Sequence, residues 1–185
     1  VFFAAYADES YDLDLGVYIL TASLVDLTEA ETIRTTLGGL RKGGQKLHWS
    51  KEPDLRREEL AKVASAFRSI SLATVGTALP MNAERARRKC LEAVLPEIEA
   101  AGTNMLVMES RQVRNDKLDK QTLAVCKRKR VISTKVHIEF MPGSTDALLW
   151  LPDIVCGAAL AAYRGDERHL EQLSSAAIVI EVDAS

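Results

Sequence analysis

The sequence has no long hydrophobic run. None of its apolar stretches approaches the roughly 20 residues a helix needs to cross a bilayer, which excludes a helical membrane protein. The apolar start, 1–7, carries no basic residue and meets Asp8 and Glu9 at once. It reads as a strand and not as a signal peptide. Cysteine is scarce: Cys90, Cys126 and Cys156 are odd in number, widely spaced and form no CxxC pair. That argues against a zinc ribbon and a disulfide framework, and it predicts reduced, buried thiols in a cytoplasmic protein. Aromatic residues make up only 5% of the chain, so base stacking on a single strand is weakly indicated. Glycines complete no phosphate loop: Gly39 and Gly44 have the right interval, yet Gln45 stands where that motif needs lysine. Repeats, low-complexity segments and interdomain linkers are also missing, so residues 1–185 are expected to form one domain.

What is there is a globular composition, 47% hydrophobic and 27% charged. A chain of 185 residues buries roughly 70% of its unfolded surface and needs no covalent staples. The net charge is only −2, but segment 111–135 holds nine Lys and Arg against two Asp. Such a stretch suits a polyanionic partner, and equally a solvated helix face.

Hydrophobic patterning predicts strands at 1–7 and 17–25, joined across the polar residues 8–16 as a hairpin. A helix is expected over 28–40, opened by a Thr28–Glu31 capping box and ended by Gly38–Gly39. Pro53 opens a second helix to about Phe67, so a helical insertion at about 28–68 follows the second strand. Further strands are predicted at 70–79, 104–108 and 136–141. Helices are predicted at 82–100, kinked or split at Pro96, and at 115–129. A last helix, capped by Ser144 or Thr145, ends near Tyr163. Residues 164–174 are polar, and 176–182 make an edge strand that permits pairing in a homodimer. This order predicts an α/β mixed sheet with helices on both faces.

Carboxylates stand where apolar residues are expected. Asp8 and Glu9 end the first strand, Glu109 ends another, and Asp153 interrupts an apolar helix. A buried carboxylate is costly unless it is neutralised or binds a cation. If the strands ending at Asp8 and Glu109 are parallel neighbours, both acids project from the ligand-binding edge of the sheet, and the last helix can lay Asp153 across them. Hard oxygen ligands of this kind select Mg²⁺ or Mn²⁺, which can activate water for phosphodiester hydrolysis. The competing reading is ordinary: strand-end acids as turn formers and Asp153 as a helix cap.

AYADES at 5–10, MESRQVR at 108–114 and LPDIVCGAALAAYRGD at 151–166 resemble the three acidic motifs of ribonuclease-H-like nucleases. ADES at 7–10, KLHWSKE at 46–52 and LPDIVCGA at 151–158 resemble, in this order, the domain-of-unknown-function 3800 family. The resemblance implies a ribonuclease-H-like fold, with Asp8, Glu109 and Asp153 as metal ligands and Glu9 as a fourth. Pro152 departs from that family's pattern, and a proline there can shift Asp153 by part of a turn.

Around this trio the sequence offers helpers. His48 suits a proton shuttle, or a packed His-Trp pair with Trp49. Glu52 and Glu84 compete as an additional carboxylate, although Glu52 also suits a helix start. His137 and His169 read as structural or exposed. Asp8, Ser10 and His48 lack the nucleophile elbow that a hydrolase triad needs. Arg111, Arg114, Lys117 and Lys46 are the candidate phosphate contacts, with a second basic cluster at Arg85, Arg87, Arg88 and Lys89. The leading expectation is a metal-dependent nuclease. The alternatives are a non-catalytic module that binds nucleic acid or protein on the same fold, and a phosphatase for small esters.

Overall fold

The computed structural model describes residues 2–44 and 46–185. Val1, at the start of the predicted first strand, and Gln45, which stands where a phosphate loop needs lysine, lie outside the described residues. Strand β1 (Phe3–Asp12) pairs antiparallel with β2 (Val17–Asp26). The expected loop 8–16 therefore shrinks to a tight turn. Gly16 closes it at φ +69°, where a Cβ would strike the Ala78 carbonyl. Every residue of β2 is buried, which explains its lack of polar alternation.

Strand β3 (Ser69–Thr77) is antiparallel to β2, and β6 (Ala177–Asp183) runs parallel to β3 at one edge. On the other side, β4 (Met105–Glu109) is parallel to β1, and β5 (His137–Met141) is parallel to β4. The sheet order is β5-β4-β1-β2-β3-β6, the mixed α/β sheet expected from the pattern.

Two core layers form because strand residues alternate between faces. Ala4 and Tyr6 of β1 join the layer beneath α5 (Trp150–Tyr163), and Ala5 and Ala7 join the opposite layer. Helices α1 (Ala30–Leu40) and α2 (Asp54–Ser65) form the insertion on the α5 side, with a 3-10 turn at Trp49–Lys51 between them. Helices α3 (Ala83–Ala100) and α4 (Val113–Arg128) cover the other face. Among the described residues no helix is long and apolar enough to cross a membrane. All three cysteines are buried and free.

Several local expectations change. The Thr28 hydroxyl donates to Asp26 Oδ1 at 2.7 Å instead of capping α1, so the helix starts at Ala30 and runs past Gly38–Gly39 to Leu40. Pro96 does not split α3, because Leu91, Val94, Leu95 and Ile98 anchor one continuous axis in the core. Asp146, and neither Ser144 nor Thr145, caps the turn before α5 by accepting from the Leu148 amide at 2.9 Å. Pro152 falls in the first turn of α5, where its missing N–H costs no helical bond. The polar segment after Tyr163 contains a short helix, α6 (Arg168–Gln172), held by burial of His169.

Gly157 lets the indole of Trp49 lie directly against α5, since a Cβ there would overlap the ring. Gly39 faces open space. Gly157→Ala should therefore cost about 1–3 kcal/mol through overpacking. Gly39→Ala should stabilise by about 0.5–1 kcal/mol through helix propensity. Urea denaturation of both variants checks the opposite signs.

Candidate metal centre

The parallel ladder between β1 and β4 pairs Ala7 with Met108 at its last rung. The next residues, Asp8 and Glu109, leave that rung together. Both fall on the face beneath α5, in phase with Tyr6 and Val107. Asp153 lies in the first turn of α5, which packs across β1. The Cys156 thiol, one turn on, lies 3.2 Å from the Asp8 carbonyl and 3.0 Å from Thr21 Oγ1, tying helix to sheet. Asp8, Glu109 and Asp153 line one cavity of about 660 Å³.

Each acid is held by backbone. Asp8 is only 8% exposed, and its Oδ1 accepts from the Glu9 amide at 2.9 Å. Asp153 Oδ2 accepts from the Trp49 amide at 2.9 Å, a link from the insertion to α5. The Glu109 carboxylate rests on Gly143, where any Cβ would collide with it. Burial, reinforced by the Asp153 charge, pushes Asp8 up to about 8. Burial also raises Asp153, against the pull of the Trp49 amide. Lys46 Nζ lies 3.4 Å from Asp8 Oδ2 and contacts Glu109 Oε2. Although burial opposes its charge, Asp8 and Glu109 raise its pKa.

Three carboxylates thus face one ammonium, and the raised Asp8 and Asp153 register that deficit of positive charge. The donor set is all oxygen, which fits Mg²⁺ or Mn²⁺. The spacing is wider than a closed metal site, however. Among the described residues the group whose ligand atoms fall mutually within 4.8 Å is Asp54, Asp166 and His169. There Arg168 already bridges Asp54 and Asp166.

Other predicted site residues are placed differently. Glu9 points to the opposite face from Asp8, where its Oε2 meets Arg87 at 2.8 Å. It therefore does not join the trio. Arg111 lines the cavity but is anchored to Glu84 at 2.6 Å and to Asp119 at 3.3 Å. Arg114 and Lys117 are exposed on α4 and do not line the cavity. His48 lines it, half-buried, and its ring has no hydrogen-bond partner among the described residues. Glu52 pairs with Arg56 at 3.5 Å and Glu84 with Arg111, so neither completes the acidic cluster.

Arg87 corrects the second basic cluster. It is 1% exposed and forks onto Asp119 through bonds of 2.9–3.2 Å. His169 is buried, stacked edge-on to Trp49 and 3.2 Å from Asp54. Sequence reasoning missed the Trp49 amide, Gly143 and the Arg87 network. The traces were faint: Asp119, one of two acids in a basic helix, and a glycine within an apolar one.

In metal-free protein the native state keeps a proton on Asp8 that the unfolded chain releases above about pH 4. The native state then binds more protons, so stability falls as pH rises toward about 8. Thermal unfolding in EDTA should show this slope, to which Asp8 alone contributes at most about 1.4 kcal/mol per pH unit. Asp8→Asn should flatten it and melt above wild type at pH 8.

No protein-family model and no curated protein sequence matches the chain. Its fold is similar to a solved chain in the complex of PCNA with RNase HII from Archaeoglobus fulgidus. That likeness has a TM-score of 0.59 at 13% identity, covering 94% of this chain and 78% of the other. The two share an architecture without recognisable sequence, and the mixed sheet described above is the ribonuclease-H-like fold.

Proposed function

We propose that this chain is a divalent-metal-dependent phosphodiester hydrolase acting on nucleic acid, with Asp8, Glu109 and Asp153 as ligands of Mg²⁺ or Mn²⁺. The observation that carries this reading is the convergence of three recessed carboxylates on one cavity with a single ammonium to balance them. A divalent ion there would acidify a water and offset charge on the phosphate. The amides of Glu9 and Trp49 orient Asp8 and Asp153, and Gly143 supports Glu109. Lys46, in contact with Asp8 and Glu109, competes with the metal for these acids. His48, whose ring has no hydrogen-bond partner among the described residues, is the candidate to exchange a proton with water or substrate in the cavity. Arg114 and Lys117, exposed on α4, follow the nucleic-acid backbone beyond the cavity. The order of ADES, KLHWSKE and LPDIVCGA supports kinship with the domain-of-unknown-function 3800 family as part of the same proposal.

One observation favours the non-catalytic module: Lys46 already bridges two of the acids, as in a closed structural network. Calorimetric titration of Mn²⁺ separates the readings. A metal centre predicts binding by wild type, a loss of tenfold or more in Asp8→Asn, and tighter binding in Lys46→Ala, with cleavage of DNA or RNA lost in Asp8→Asn. Equal uptake by wild type and Asp8→Asn would sink the metal site. Absence of uptake even in Lys46→Ala would leave the binding module.

A further inference from the structure

The cavity lips over the end of the sheet and touches both faces. Arg57 and His48 line it on the α5 side, and Tyr11 with Arg111 on the other. Tyr11 faces Tyr18 across the β1–β2 ladder, and their rings stack at 5.5 Å with 3° between planes. Tyr18 is buried, and its hydroxyl accepts from Arg87 at 3.3 Å, so the supporting ring is fixed. Tyr11 itself is 50% exposed at the mouth.

The cations of the cavity differ in what they have left to give. Arg111 is matched by Glu84 and Asp119, Arg164 by Asp12 at 2.9 Å, and Lys46 by Asp8 and Glu109. Arg57 lies over the Trp49 ring and donates only to the carbonyls of Trp49 and Ser50, each at 3.2 Å. Among the described residues it has no carboxylate partner, so its charge remains for an anion.

We infer that the site takes an unpaired strand: one nucleobase stacks on Tyr11, the backbone crosses the carboxylates, and a neighbouring phosphate meets Arg57. The inference rests on the hydrolase reading and narrows its substrate class. A base inside a duplex is already stacked on both faces and cannot use the Tyr11 ring. Single-stranded nucleic acid offers that face freely, whatever the base. A cavity of about 660 Å³ suits a nucleotide.

Fluorescence anisotropy of labelled dT12, alone and as its duplex with dA12, tests this on the full chain in EDTA and again with Ca²⁺. Wild type should bind the single strand more tightly than the duplex. Tyr11→Ala should weaken dT12 binding about tenfold, Tyr11→Phe should restore it, and Mn²⁺ affinity should be unchanged in both. Arg57→Gln should lower the salt slope by about one, with Arg57→Lys retaining it. Preference for duplex, no dT12 binding in either buffer, or indifference to Tyr11→Ala would overturn the inference. Mn²⁺ uptake that depends on Asp8 would leave the hydrolase reading standing in each of those cases. Tyr11-dependent dT12 binding without Mn²⁺ uptake would instead remove hydrolysis and keep the strand site.

Discussion

The parallel pairing of β1 with β4 carries the rest of the arrangement. It aligns Ala7 with Met108, so Asp8 and Glu109 emerge at the same rung and on the same face. A slip of one residue would turn one of the two acids to the far side of the sheet, because side chains alternate with period two. The hairpin with β2 then holds β1 well beyond that rung, through Asp12. Asp8 is therefore mid-strand, with a fixed backbone, and not a flexible strand end.

Behind that rung a second constraint works from the opposite face. Arg87 links Glu9 of β1 to Asp119 of α4, and Asp119 in turn receives Arg111 just past β4. The network thus spans both strands that carry the acids of the front face. A buried arginine is costly without partners. Here the paired geometry and the Tyr18 hydroxyl satisfy it, and the burial that makes it costly also makes it rigid.

The front face is built in the opposite sense. Recessed carboxylates share one cavity with too little positive charge, which raises Asp8 and Asp153. The helical insertion moderates this through Lys46 and the Trp49 amide, both drawn from the segment between α1 and α2. Trp49 reaches α5 because Gly157 leaves room for its ring. The insertion is thus part of the site and not an ornament on the fold.

By itself the sequence determined the strands, their alternation with helices and the mixed character of the sheet, because hydrophobic period and turn residues are local signals. It also singled out Asp8, Glu109 and Asp153, since a charge within an apolar run is conspicuous without coordinates. Tertiary structure decided which acids share a face. Glu9 is Asp8's neighbour in sequence, yet the pleat sends it to Arg87. Arg111 and Arg87 read as surface cations, yet packing of α3 against α4 turned them onto Asp119. Lys46 read as a phosphate contact, and the fold set it among the carboxylates. The partners of Arg87 and Lys46 lie tens of residues away in the chain, and no local pattern records them.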